Sequence, residues 1–355
     1  MRHESVGQSE LPRRVALFVP ALSGGGVQRV LLTMAAGLRD RGYAVDFLVV
    51  NRRGAFADHV PEGVRLVELG QRFPGHGRML AAWLGGSAIS ALAKPLLASP
   101  SPGQALAGFP DLVGYLRSSH PAVLFSTKVD GNLVALLARR AADASGRVVV
   151  SERETYEAKV RYGRRWRWRH VAPAIRRVYP EADAIVAVSQ GTADSFARVT
   201  GRTWPALRVI HNPVVGPELD AQARADPGHT WLASDRDAPV ILGVGRLETR
   251  KGFDVLIRAL ARVRAGRPAR LVVLGEGPDR AALERLAHAE GVADAVDLPG
   301  WQANPFAFMA RADLFVLSSD YEGLPGALIQ AMACGCPVVS TDCPDGPREI
   351  LADGT

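Results

Sequence analysis

The sequence predicts an α/β protein built from two doubly wound parallel-sheet domains. Three observations carry this. Near-continuous apolar runs alternate with helix-periodic stretches along the chain, the pattern of parallel strands covered on both faces. An aperiodic stretch, 213–239, divides them into two series. The 355 residues are long for one core and comfortable for two.

The first series opens with RVALFVPA, a buried strand over Arg14–Ala21, followed by Gly24-Gly25-Gly26 and an apolar-periodic helix to Arg41. Strand-like runs recur at 44–51, 64–69, 122–126, 147–151, 184–189 and 207–210. In the second series strands are expected at 240–244, 270–275, 295–298, 313–318 and 337–341. Helices are expected near 253–263, 279–289, 305–310, 326–333 and 347–351. The resulting expectation is a domain over residues 1–215, a linker over 216–238 and a second domain over 239–355. A doubly wound domain usually continues past such a final helix, so the second domain reads as shortened at its C-terminal end. There is no internal repeat and no low-complexity tract.

A content of 47% hydrophobic and 22% charged residues describes a globular chain rather than a disordered one. The formal charge of +7 favours an anionic partner without naming it. Cys334, Cys336 and Cys343 fall in ACGCPVVSTDC with no histidine beside them. That is too few ligands for a zinc site, so they are expected as small reduced core residues in a cytosolic protein. The polar start MRHESVGQSELPRR lacks the apolar core of a signal peptide. The longest apolar stretch, 79–99, contains Lys94, Pro95 and several glycines and makes a poor membrane span.

Ligands of open parallel sheets bind beyond the carboxyl ends of the strands, and three motifs sit there. Ser23 to Arg29 (SGGGVQR) follows the first strand, where Gly25 and Gly26 let a ligand approach a helix N-terminus that favours anions. In GVGRLETRKG, Arg246 and Lys251 are two cations five residues apart on what reads as an exposed loop. A forked guanidinium and a point charge suit a diphosphate, although a solvated basic loop has the same spacing. In DYEGLPGALIQAM, Glu322 lies past a strand, Gly326 and Ala327 at a helix start, and Gln330 one turn in; an acid near a helix N-terminus is the structural alternative. A fourth run, KVRYGRRWRWRHVAPAIRR, has seven arginines and one lysine, no acid, and interleaved Trp166 and Trp168. The segment Arg161–Arg177 is therefore expected to meet an anionic membrane surface rather than nucleic acid.

Taken in order, these motifs resemble the retaining glycosyltransferases of the GT-B fold, family 4 (glycosyl transferases group 1). The resemblance covers nearly the whole chain and is strongest from Pro239 to Leu351. It implies two facing Rossmann-like domains with parallel sheets and an interdomain cleft. It also implies that GGGVQR lies near the donor diphosphate and that Arg246 and Lys251 hold it. Glu322 would touch the transferred sugar, amides of Gly326 and Ala327 would face phosphate, and main chain near Gln302 would meet the base. No metal and no further cofactor is implied, since the nucleotide-sugar is itself a substrate.

Three departures from the family pattern stand out. Gln330 occupies the second position of Glu-x7-Glu, where a carboxylate usually grips the ribose; an amide accepts without the charge-assisted bonds. Where many relatives have a histidine after a first-domain strand, this chain has Thr127-Lys128-Val129-Asp130. His120 precedes that strand, so Lys128 is the candidate there. The final helices of the family are absent.

The expectation is transfer of a sugar from a nucleotide-sugar, UDP-sugar before GDP-sugar, to a lipid-linked or cell-envelope glycan. The protein would be cytoplasmic and peripheral to the inner face of the membrane. Two rivals remain. A GT-B sugar-nucleotide epimerase is disfavoured by Arg246, Lys251 and the EGLPG segment. A non-catalytic nucleotide-sugar or glycan-binding homologue draws on Gln330, Lys128 and the short C-terminal end.

Overall fold

A computed structural model describes residues 13–22, 25–52, 54, 56, 58–70, 104–157 and 171–352. The described residues form two parallel-sheet, Rossmann-like α/β units with sheets of seven and five strands. By its contacts the chain divides into Met1–Glu152, Gly163–Val186 and Thr200–Arg208 as one unit. Arg153–Tyr162, Ala187–Val199 and Val209–Thr355 make the other. Two short stretches that precede residue 200 thus group with the second unit.

In the first sheet the strands are β1 (Arg14–Ala21), β2 (Ala44–Asn51), β3 (Arg65–Glu68), β4 (Val123–Thr127), β5 (Arg147–Glu152), β6 (Ala184–Ala187) and β7 (Leu207–Val209). Their order is β3-β2-β1-β4-β5-β6-β7. β1 is central because its side chains are buried nearly throughout, with Leu17, Phe18 and Val19 fully covered. Among the described residues the helices of five or more residues are α1 (Gly26–Arg39), α2 (Phe109–Ser119), α3 (Val129–Ala142), α4 (Val171–Val178) and α5 (Gln190–Thr200). Strand β6 stops two residues short of the expected Ser189 because that side chain turns to cap α5. Its Oγ accepts the Thr192 N–H at 3.1 Å.

Near the start of the same sheet, Asp46 of β2 is buried and accepts from three partners. Arg14 Nη1 lies at 3.0 Å, Arg65 Nη2 at 2.5 Å and the Tyr115 hydroxyl at 2.6 Å. Burial alone would raise its pKa, but bonds from Arg65, Tyr115 and Arg14 outweigh that and hold the carboxyl below its ordinary range. A depressed folded pKa contributes stability that is present above the unfolded value of about 3.9 and lost as pH falls through the folded one. Asp46→Asn should therefore cost about 2 kcal/mol at pH 7, discounted for the half-exposed arginines, with the gap to wild type narrowing by pH 3 and closing only below the folded pKa. Urea unfolding at both pH values measures it; an equal deficit at both would exclude the ionic explanation.

The second sheet contains β8 (Val240–Val244), β9 (Arg270–Leu274), β10 (Val296–Gly300), β11 (Leu314–Leu317) and β12 (Val338–Ser340), in the order β10-β9-β8-β11-β12. Its helices of five or more residues are α7 (Phe253–Arg264), α8 (Arg280–Ala289), α9 (Gly326–Ala333) and α10 (Gly346–Ile350), preceded in the chain by α6 (Leu219–Arg224). β10 runs two residues past the expected end and carries Pro299, with a shift in register between Asp297 and Gly300. A proline that donates no ladder bond is tolerated there because β10 is an edge strand.

The stretch read as a linker is not free chain. Leu219 of α6 and Leu232 are buried in a core with Phe306, Phe308, Met309 and Phe315. His229 Nε2 pairs with Asp297 Oδ2 at 2.8 Å, while His229 Nδ1 accepts the Trp231 N–H at 3.2 Å. The three cysteines are free thiols, with Cys336 in this same core. Among the described residues no helix is long and apolar enough to cross a membrane.

Candidate active site

The five-stranded sheet reverses its strand order between β8 and β11, which hydrogen-bond to each other while β9 continues on the other side of β8. The loops leaving the carboxyl ends of β8 and β11 therefore flank the crevice where doubly wound sheets bind ligands. The loop after β8 carries Arg246 and Lys251; the loop after β11 carries Glu322 and leads into α9.

Thr249–Lys251 is a single helical turn that closes on Gly252, φ 61°, before α7 begins. Two bonds fasten this turn to the end of β11. Ser318 Oγ donates to the Lys251 carbonyl at 2.8 Å, and the Asp320 N–H donates to the Arg250 carbonyl at 2.8 Å. Lys251 was expected on an exposed loop. Its side chain is instead 14% exposed, with Nζ 2.5 Å from Glu322 Oε1. The cause is the return of the turn onto β11. Arg246 keeps the exposed position, at 63%, with only a 3.9 Å approach to Glu248.

Glu322 is 7% exposed. Ser319 Oγ donates to its Oε1 at 2.7 Å, and Arg250 Nη1 stands 3.7 Å from Oε2. Burial would raise its pKa; the Lys251 and Arg250 charges, with the bonds from Lys251 and Ser319, more than reverse this and keep it a carboxylate. Its main chain is held by a residue far off in sequence, for the Thr155 hydroxyl donates to the Glu322 carbonyl at 2.9 Å. The next residue must be glycine, since a Cβ on Gly323 would stand 2.2 Å from the Arg153 carbonyl oxygen. Arg153 in turn donates through Nη1 to Asn212 Oδ1 at 2.7 Å, and burial brings its pKa down to about 10.

Helix α9 starts at Gly326 with no side-chain cap and no acid in its first turn. The amides of Gly326 and Ala327 thus lie at the positive end of a helix four and five residues beyond Glu322. Gln330, one turn in, donates through Nε2 to the Val214 carbonyl at 3.0 Å, which leaves its Oε1 as the acceptor. Gln302, past β10, is half-buried with its Nε2 donating to the Pro299 carbonyl at 3.2 Å. The arrangement can neutralise an anion with fixed cations and bare amides beside a carboxylate.

The remaining candidates lie in the first unit and share the carboxyl edge of β1 and β4, which are neighbours. Gly25 precedes α1 at φ 147°, without a side-chain cap, and a Cβ on Gly26 would meet nothing within 4 Å. Lys128 is exposed at the start of α3 with φ 65°, a conformation that costs a non-glycine residue energy and often marks a functional loop. His120 ends α2 ahead of β4, at the opposite end of that strand, as expected. Residues 159–170 of the basic aromatic run lie outside the described residues.

Arg250, Ser319 and Thr155 were not among the sequence candidates. Arg250 stood in the quoted motif next to Lys251 but off the five-residue spacing. Thr155 gave no local signal, being 167 residues from the carbonyl it holds.

Comparison with known families decides the classification. The model of Glycosyltransferase Family 4 matches residues 24–215, and that of Glycosyl transferases group 1 matches residues 238–355. The chain belongs to glycosyltransferase family 4. This family 4 chain is 37% identical over 177 residues to the lipopolysaccharide core biosynthesis glycosyltransferase LpsE of Rhizobium meliloti, covering 50% of this chain and 48% of LpsE. It is 33% identical over 234 residues to a GDP-mannose-dependent alpha-(1-6)-phosphatidylinositol monomannoside mannosyltransferase of Mycolicibacterium smegmatis, covering 61% and 58%. A third relative is the N-acetylgalactosamine-N,N'-diacetylbacillosaminyl-diphospho-undecaprenol 4-alpha-N-acetylgalactosaminyltransferase of Campylobacter jejuni, 32% identical over 50% of this chain and 47% of that enzyme. The chain spans about half the length of these curated relatives. Among solved structures, HepE of Anabaena in complex with UDP-glucose aligns with a TM-score of 0.70 at 18% identity, covering 96% of this chain and 82% of HepE. That likeness establishes the GT-B type of fold.

Proposed function

We propose that this chain is a retaining glycosyltransferase. It moves a sugar from a nucleotide-sugar, a UDP-sugar in preference to a GDP-sugar, onto a lipid-linked or cell-envelope glycan, without a metal. The observation that carries the reading is the Lys251–Glu322 pair, set beside Arg246, Arg250 and the uncapped start of α9 at the switch point of a parallel sheet.

In this reading Arg246 and Lys251 bind the donor diphosphate, with the amides of Gly326 and Ala327 facing phosphate. Gln330 Oε1 accepts from the ribose, and main chain at Gln302 meets the base. Glu322 contacts the transferred sugar. The acceptor oxygen bonds the anomeric carbon as the bond to the diphosphate breaks. The electron pair leaves with the nucleoside diphosphate, which also receives the acceptor proton. Fixed positive charge where the negative charge grows is the main catalytic contribution. Lys128 and the Gly25–Gly26 turn are assigned to the donor phosphate or the acceptor. The names of the relatives support a lipid-linked or envelope acceptor, and HepE with UDP-glucose supports the uridine donor. The Arg161–Arg177 segment is assigned to the anionic inner face of the membrane; co-sedimentation with anionic vesicles at low salt tests it.

A panel of UDP- and GDP-sugars, scored by thermal shift and then by product formation with membrane extract, tests the function. Stabilisation by a UDP-sugar followed by incorporation of its sugar into the lipid fraction is expected. Stabilisation without transfer or donor hydrolysis would favour a binding protein.

A further inference from the structure

The turn Thr249–Lys251 presents two adjacent cations to one buried carboxylate. Lys251 Nζ is 2.5 Å from Glu322 Oε1, whereas Arg250 Nη1 approaches the other oxygen, Oε2, to 3.7 Å. Arg250 is fixed in this pose. Its Nε donates to Glu248 Oε1 at 2.5 Å, its guanidinium carbon lies 5.7 Å from the centre of the Tyr321 ring, and its carbonyl accepts the Asp320 N–H. Two other acids, Glu248 and Glu154, act on the guanidinium as well as Glu322. Lys251 and Arg250 from the β8 loop and Ser319 from its own loop act on Glu322, and the Glu322 charge in turn acts on Tyr321 and, from the segment after β12, on Cys343. The Cys343 thiol, pushed up to about 11 chiefly by burial, is neutral.

A donor diphosphate bound at Lys251 competes with Glu322 for the same ammonium. A carboxylate this buried that loses its nearest cation is driven to take up a proton. We propose that Arg250 is a positioning residue that keeps Glu322 ionised and in place when the donor takes Lys251. The inference rests on the donor-site reading above. It assigns Arg250 no contact with the donor.

Titration calorimetry of UDP, and of GDP, into wild type and Arg250→Gln tests this at pH 7 in two buffers of different ionisation enthalpy. Relative to wild type, Arg250→Gln should take up additional protons on binding, approaching about one per nucleotide as pH is lowered toward 6. Arg250→Lys should restore the wild-type count, and Glu322→Gln combined with Arg250→Gln should abolish the uptake. A merely structural role would not move a proton count. A wild-type count in Arg250→Gln overturns the inference. A large loss of affinity without uptake also overturns it, because Arg250 would then be a donor ligand. If wild type binds neither nucleotide, the donor-site reading falls first and takes this inference with it.

Discussion

Lys251→Ala is expected to lower donor turnover by about 100- to 1000-fold, the usual cost of removing one fixed electrostatic contact from a transition state. Lys251 is the nearest cation to Glu322, at 2.5 Å, and the proposed donor-site reading puts it on the diphosphate. The same substitution leaves a buried carboxylate with Arg250 as its remaining charge partner at 3.7 Å. Stability should therefore fall as well, by about 1–3 kcal/mol. That loss separates the buried pair from a solvated basic loop, for which alanine would change stability by less than about 0.5 kcal/mol. Initial rates with the best donor of the panel and urea unfolding of the same preparation check both effects. Turnover within threefold of wild type would remove Lys251 from the site.

Gly252→Ala is the second large effect, and it acts through the backbone. Gly252 has φ 61°, and a Cβ there would stand 2.0 Å from the Ser318 carbonyl oxygen, well inside any real contact. Either the turn moves off β11, carrying Lys251 away from Glu322, or the clash is absorbed by strain. A loss of about 3 kcal/mol or more follows. Turnover should drop at least tenfold even at temperatures where the variant stays folded. Chemical unfolding together with rates at low temperature measures this. Wild-type stability would mean that the β8 loop is not fastened to β11 as described.

Much of the fold was legible because its strands are buried on both faces. RVALFVPA and VILGV read as strands, and the structure has them at Arg14–Ala21 and Val240–Val244, as expected. Boundaries drifted where a side chain had a second task, as with Ser189 capping α5. That the stretch 216–238 packs on a core was not readable, because its two anchors, Leu219 and Leu232, are too far apart in sequence to make a helical period. Their partners, Phe306 to Phe315, come much later in the chain.

The site divides in the same way. Arg246, Lys251 and Glu322 were found because each stands past an apolar strand in an ordered set of motifs. That Lys251 and Glu322 meet was not readable, since 71 residues separate them and only the pairing of β8 with β11 brings them together. Arg250 gives no signal by spacing, because its approach to Glu322 comes from where the turn aims it. Gln330 looked like a plain substitution for a carboxylate. Its bond to the Val214 carbonyl uses the amide N–H₂ that a glutamate lacks.

The crevice between the β8 and β11 loops is expected to bind a nucleotide diphosphate. A crystal structure with UDP tests it most directly. Diphosphate oxygens are expected within about 3.2 Å of Lys251 Nζ and of the Gly326 or Ala327 amides, the spacing of an N–H···O bond. The ribose should lie on the Gln330 side. Diphosphate bound away from these groups, with the Lys251–Glu322 pair undisturbed, would contradict it.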